Sequence, residues 1–184
     1  ELIAADCSVL GRLASRAGRH DEAAELLEEA LGEADRSDGQ LLAIGVIGFL
    51  AEDMVRLGDA DAAVDHLARV EARAKLLGGP GIYEPLIERV RGCAFLLRSE
   101  LDQAEEAFDR SLAAARAAGS EFEVLLTLDA RSALSQARGE ERSATEAAEA
   151  TSIADRLGIV SVPSMLPAAI PASRAGRPSR NTSQ

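Results

Sequence analysis

The chain has no tryptophan, one tyrosine and four phenylalanines in 184 residues, an aromatic content of 3%. That shortage excludes a core filled by large rings, while abundant alanine suits helices that approach one another closely, so an all-α fold is expected. Cysteine is scarce too. Cys7 and Cys93 stand far apart with no Cys-x-x-Cys, which is too little for a disulfide framework, and both read as free packing residues. No apolar run of 18 residues occurs and no basic-then-apolar leader opens the chain, so no membrane span is expected and a cytoplasmic location is.

Positive charge is the next thing in short supply. Residues 1–157 hold 17 basic and 31 acidic side chains, a net of −14, against −11 for the whole chain. A body of that charge is a poor partner for a phosphate backbone, so no nucleic acid is expected to bind this region. No acid follows Asp155, and four of the six prolines lie beyond Gly158 together with Arg174, Arg177 and Arg180. Residues 158–184 are therefore expected to be a disordered Pro/Ser/Arg-rich tail on a body spanning 1–157. Asn181-Thr182-Ser183 matches a glycosylation sequon, a chance match in a chain with no secretory signal.

What the body does contain is a repeat. GRHDEAAELLEEA from Gly18 returns as GDADAAVDHLARV from Gly58, SELDQAEEAFDRS from Ser99 and GEERSATEAAEAT from Gly139, at spacings of 40, 41 and 40. Each copy is preceded by an apolar stretch, which predicts four pairs of helices. The first pair is Leu2–Ala17, with Leu2, Ile3, Val9, Leu10, Leu13 and Ala17 on a broad buried face, and a partner running to Arg36. Gly18 turns the chain and Asp21 is placed to cap the partner, whose Ala23, Leu26, Leu27, Ala30 and Leu31 face inward while Glu25, Glu28 and Glu29 face water. The second pair spans Leu41–Leu57 and Asp61–Leu77. Its run LLAIGVIGFLA would also fit a strand, but Glu52, Asp53 and Arg56 continue it at helical spacing. Gly45 and Gly48 each cost about 1 kcal/mol against alanine inside a helix and so predict close approach by a neighbour or a bound chain. Gly78-Gly79-Pro80-Gly81 forms the strongest break. The third pair is expected at Tyr83–Arg98 and Leu101–Ala118, and the fourth at Glu121–Arg138 and Glu141–Leu157.

These units resemble the tetratricopeptide repeat. Leu10-Gly11 is similar to the Leu-Gly pair of its helix A, Gly18 to the inter-helix glycine, and Ala23, Leu27 and Ala30 to the small-large-small positions of its helix B. Leu50, Ala51, Gly58, Ala63, Leu67 and Val70 match in the second unit, and Gly92, Ala104 and Phe108 in the third, where Arg91 replaces the leucine and Ser99 the turn glycine. The fourth keeps Gly139, Ala144 and Ala148. The resemblance implies a right-handed α-solenoid of about four ~40-residue helix-turn-helix units, eight helices in all, with Ala23, Ala63, Ala104 and Ala144 at the closest crossings. HEAT and armadillo units have similar lengths; the Gly-x-x-x-x-Ala spacing favours the tetratricopeptide type.

A shorter stretch, ATSIADRLGIVSVPSM, resembles the end of the helical-repeat region in large bacterial signalling proteins: class III adenylate/guanylate cyclases carrying an ATPase module, or ATP-binding LuxR-type regulators. Arg156, Leu157, Gly158, Ile159, Val162 and Pro163 carry it. The preference for arginine, with Lys75 the single lysine, agrees with a high-GC bacterial source. Glu1 to Gly18 already reads as half a repeat, so the chain is expected to be the C-terminal portion of a longer polypeptide whose upstream domains would also be partners. The implied function is a non-catalytic protein–protein interaction or regulatory scaffold of a nucleotide-cyclase-type protein, or else the ligand-sensing repeats of a LuxR-type regulator.

No phosphate loop, zinc helix or nucleophile turn is present, so no catalytic, cofactor or metal residue is assigned. His20 and His66 fall in different repeats, and the cluster Glu22, Glu25, Glu28 and Glu29 reads as a solvated face. An all-helical enzyme with its active site in a concave groove is the remaining reading, disfavoured by the lack of clustered His, Cys or Asp. Since tetratricopeptide solenoids present the inward rows of their A helices to ligands, the resemblance selects Ser8, Arg12, Ser15, Arg16, Glu52, Arg56, Arg89, Cys93, Asp129 and Gln136 as a candidate peptide groove. Within it Arg12, Arg16, Arg56 and Arg89 would form a positive stripe for a carboxylate-rich segment, with Glu52 and Asp129 beside them.

Overall fold

A computed structural model describes residues 2–162 and 164–167, and the regular structure among those residues is helical with no strand. Eight α-helices are described: α1 (Leu2–Arg16), α2 (His20–Arg36), α3 (Gln40–Leu57), α4 (Ala60–Leu77), α5 (Glu84–Leu97), α6 (Leu101–Ala117), α7 (Glu121–Arg138) and α8 (Ala144–Leu157). A 3-10 turn, Gly81–Tyr83, precedes α5. None of these helices is long and apolar enough to cross a membrane. Each helix packs on the next in sequence, and α1 also touches α3, α3 touches α5, and α5 touches α7.

One contact recurs within the pairs. A Cβ added at Gly11 of α1 would lie 2.8 Å from Leu27 Cγ of α2, and one at Gly92 of α5 would lie 2.6 Å from Phe108 Cδ1 of α6. In α3 and α4 the equivalent positions are Ala51 and Leu67, both buried. A small residue on the first helix thus receives a large one on the second, sixteen positions on, and lets the axes close up. Ala23, Ala63 and Ala104 are fully buried, as a close crossing requires. Ala144 is not: it is exposed at the first turn of α8, and Ala148 is exposed as well. Glu140–Arg142 stay outside the helix, which starts only where Ser143 caps it by accepting a hydrogen bond from the Glu146 amide at 3.4 Å. The fourth unit therefore seats on Ala150 and Ile153 instead.

Other expectations are corrected. The apolar face of α1 is not its buried one, since Ile3, Val9, Leu10 and Leu13 are each more than half exposed and the small Ala4, Gly11 and Ala14 pack inward. Asp21 lies inside α2 and caps nothing; the residue before that helix, Arg19, makes no side-chain cap. At Ser99, where the repeat lacks its turn glycine, the backbone keeps a left-handed φ of 61°, a strained setting for a residue with a Cβ. The apolar run of the second pair is helix α3. Its two glycines do mark close approach, Gly45 against the Tyr83 ring and Gly48 against Ile87 and Leu86.

The chain beyond α8 departs most from expectation. Residues 159–162 and 164–167 belong to the stretch expected to be disordered, yet they are seated on the body. Ile159 and Val162 pack against a small cluster of α6, α7 and α8 residues, and Met165 and Leu166 join the main core built on α2 to α7. Apolar residues at this spacing bury surface in spite of the prolines around them, which is what polar disorder lacks. The rest of the expected tail, Pro163 and residues 168–184, lies outside the described residues.

Candidate arginine-lined site

The candidate groove residues Arg12, Arg16, Glu52, Arg56 and Arg89 come together, but around a buried carboxylate and not along an open stripe. Glu52 sits mid-way along α3, whose apolar neighbours carry it inward until it is 2% exposed. Arg12 Nε of α1 donates to its Oε2 at 3.0 Å and Arg56 Nη2 to its Oε1 at 3.2 Å, with Arg16 Nη2 3.8 Å from Oε1. Arg12 is held from behind by the Phe49 ring, whose centroid is 4.6 Å from its guanidinium carbon. Arg89 of α5 is fully buried and pairs with Glu123, in the first turn of α7.

Burial by itself would push the Glu52 carboxyl up. The guanidiniums of Arg12, Arg89, Arg16 and Arg56 override that and hold it down at about 2. Arg16 is moved the other way: burial and the charge of Arg12 lower its pKa, with Arg56 and Arg89 adding to the effect and Glu52 opposing it. Four guanidiniums face three carboxylates, Glu52, Glu123 and Asp129. Asp129 of α7 lines the same space, with its pKa raised by burial.

Positive charge is therefore in excess at this point of an acidic body, and part of its hydrogen-bonding capacity is unused. Arg12 Nη2, Arg16 Nε, Arg56 Nε, and both Nε and Nη2 of Arg89 are buried with no partner among the described residues. Nitrogens of this kind carry N–H groups that are costly to leave unmatched away from water. Of the remaining candidates, Ser8, Ser15 and Cys93 are buried and Gln136 is exposed on α7. Ser8 Oγ bonds its own helix at Ala5 O, 2.7 Å away, so it is not free to meet a ligand.

No family model, no curated protein and no solved structure matches this chain.

Four contributors lie outside the candidate residues selected from the sequence. Glu123 pairs with Arg89 from the first turn of α7. Val162, Ser164 and Met165 close the compartment from the C-terminal side, where Arg56 Nη1 donates to the Ser164 carbonyl at 2.7 Å. The apolar spacing of Ile159, Val162, Met165 and Leu166 was the available signal, hidden by the prolines and serines between them. Separately, His20 Nδ1 lies 2.7 Å from Oδ1 of the fully buried Asp53, which joins the start of α2 to the middle of α3. His66 is on α4, half-buried beside Arg69. Among the described residues no three His, Cys, Asp or Glu side chains are grouped as metal ligands.

Proposed function

We propose that this chain is a non-catalytic recognition domain that takes a carboxylate-bearing segment of a protein partner at the arginine cluster on α1, α3 and α5. The observation that carries the reading is the convergence of four guanidiniums, with a charge excess and unmatched donors, on a body that is otherwise acidic. Guanidinium is the donor best shaped for a carboxylate, because its planar fork offers two parallel N–H groups.

The tetratricopeptide-type solenoid is part of the same proposal. It is supported by the small-on-large contact at Gly11–Leu27 and Gly92–Phe108, by the burial of Ala51 and Leu67 at the equivalent positions, and by the contacts of α1 with α3, α3 with α5 and α5 with α7. In such a stack the first helices of each pair share one face, which is where the arginines are. A place in a cytoplasmic bacterial signalling protein of nucleotide-cyclase type rests on the sequence from Arg156 to Pro163 alone.

Fluorescence anisotropy tests the binding reading with a labelled peptide ending in two glutamates and a free carboxylate, against the same peptide with glutamines and an amide end. The acidic peptide should bind preferentially, and Arg16→Glu or Arg56→Glu should weaken it by about tenfold or more, the loss of one charge-assisted hydrogen bond. Equal binding of the two peptides, or affinity untouched by both reversals, removes the proposal.

A further inference from the structure

The segment seated over the arginine cluster is a poor match for what lies beneath it. Met165 is 7% exposed and lines the compartment with Val162, Arg16, Glu52, Arg56 and Arg89. Its thioether is at best a weak acceptor, so it fills space without matching the buried nitrogens of Arg16, Arg56 and Arg89 that lack partners. Among the described residues the segment makes one polar bond to the cluster, from Arg56 Nη1 to the Ser164 carbonyl, and it leaves Arg56 Nε unmatched.

Space decides what could take its place. With Met165 seated, the compartment has about 10 Å³ free, room for about one water. A phosphate or carboxylate group is larger than that and can enter only if a side chain leaves. Arg16, Glu52, Arg56 and Arg89 are fixed on packed helices, whereas Met165 is an unbranched side chain outside any helix. Beside it a cleft of about 360 Å³ runs between Asp129, Ala133 and Gln136 of α7 and the segment from Ser164 to Pro167. That cleft can receive the displaced side chain without unfolding a helix.

We infer that the compartment behind Met165 is a binding site for one compact oxyanionic group, phosphate or carboxylate, and that this group and the Met165 side chain exclude each other. The inference rests on the recognition reading above and adds two things to it: the ligand enters as a single compact anion, and the chain's own segment must give way. The net charge of −14 over residues 1–157 points the same way, because an extended acidic ligand would be repelled along most of its length.

Isothermal titration with inorganic phosphate and, in a second arm, with succinate at constant ionic strength separates the two anion types. Chloride is the control. Binding of either anion is expected, weakened about tenfold by Arg16→Gln and tightened several-fold by Met165→Ala, which removes the competitor and leaves the arginines intact. Because the chain has no tryptophan, Leu166→Trp supplies an independent reporter on the segment. Its emission should shift to the red and become more quenchable as phosphate or succinate is added, and stay fixed in chloride.

Neither anion binding better than chloride overturns the site. Anion binding with a silent tryptophan and unchanged affinity in Met165→Ala overturns the exchange. Anion binding with no discrimination between the acidic and amide peptides would support the site while removing the protein-segment reading. Peptide discrimination with no response of the segment would support the protein-segment reading while overturning the exchange.

Discussion

Replacing Glu52 by glutamine removes one charge and almost no volume, and the consequence can be worked out from its surroundings. The carboxyl is held at about 2 against an ordinary 4.5, a difference of roughly 2.5 units, or about 3 kcal/mol of folding free energy while it is ionised. Because the folded-state pKa is the lower one, this contribution is complete above pH 4.5 and is lost as pH falls from 4.5 towards 2. In Glu52→Gln it is missing at every pH, and Arg12, Arg16 and Arg56 lose their shared counter-charge. Removing one partner of a buried ion pair costs about 3–5 kcal/mol, so the two routes agree on a loss near 3 kcal/mol at neutral pH. For a chain of this size that corresponds to a Tm lower by roughly 6–12 °C. Urea unfolding followed by helix ellipticity is the assay, since guanidinium chloride would itself screen the cluster. Glu25→Gln, on the exposed face of α2, is the control and should stay within about 0.5 kcal/mol of the parent. A Glu52→Gln protein within 1 kcal/mol of the parent at pH 7, or one that keeps the parent's loss of stability between pH 4.5 and 2, would refute the reasoning.

Three further predictions use other parts of the molecule. His20→Ala removes the imidazole hydrogen bond to the buried Asp53 carboxylate and should cost about 1.5–3 kcal/mol in the same assay, whereas His66→Ala should cost under about 1 kcal/mol. Gly45→Ala should destabilise by about 1–3 kcal/mol in spite of alanine's better helix propensity, because its methyl group meets the Tyr83 ring; Gly32→Ala, with nothing closer than 3.5 Å, should stabilise by about 0.5–1 kcal/mol. The Cys93 thiol is pushed up to about 12 by burial, and that of Cys7 is raised by burial and by Glu29, Asp6 and Glu33. Iodoacetamide at pH 8 should therefore leave Cys93 untouched in the native protein and modify Cys7 slowly, both reacting once urea is added, as peptide mapping would show.

The helices were legible because apolar periodicity and the recurring turn are local signals. All eight fall close to where the sequence places them, and α8 starts late because a capping serine at 143 outcompetes Glu141. The burial of Glu52 was not legible, since a charged residue on the inward row of a helix looks the same in sequence whether it lines an open groove or is closed over by arginines. Its partners lie 40, 36 and 4 residues away, and only the packing of α1 on α3 brings the first two within reach. Exposure of Leu10 and Leu13 was hidden for a related reason: periodicity shows that a helix has an apolar face, while the neighbour that covers it is a fact of tertiary structure.

The seated segment after α8 has a mechanical meaning. Most of this chain is held together by neighbours in sequence, yet the Arg56–Ser164 bond closes a loop across 108 positions. Ile159 and Val162 grip one hydrophobic cluster while Met165 and Leu166 grip the other, so the segment works as a tie-bar between them. Its closure entropy is recovered only after both clusters exist, which makes it the last part to dock in folding and the first to release under tension on the C-terminal side. While it is seated, the two clusters share their stability and should melt as one. Once it lifts, α8 is left with its share of the small cluster and its ion pairs to α6 and α7, and should open before the rest of the chain.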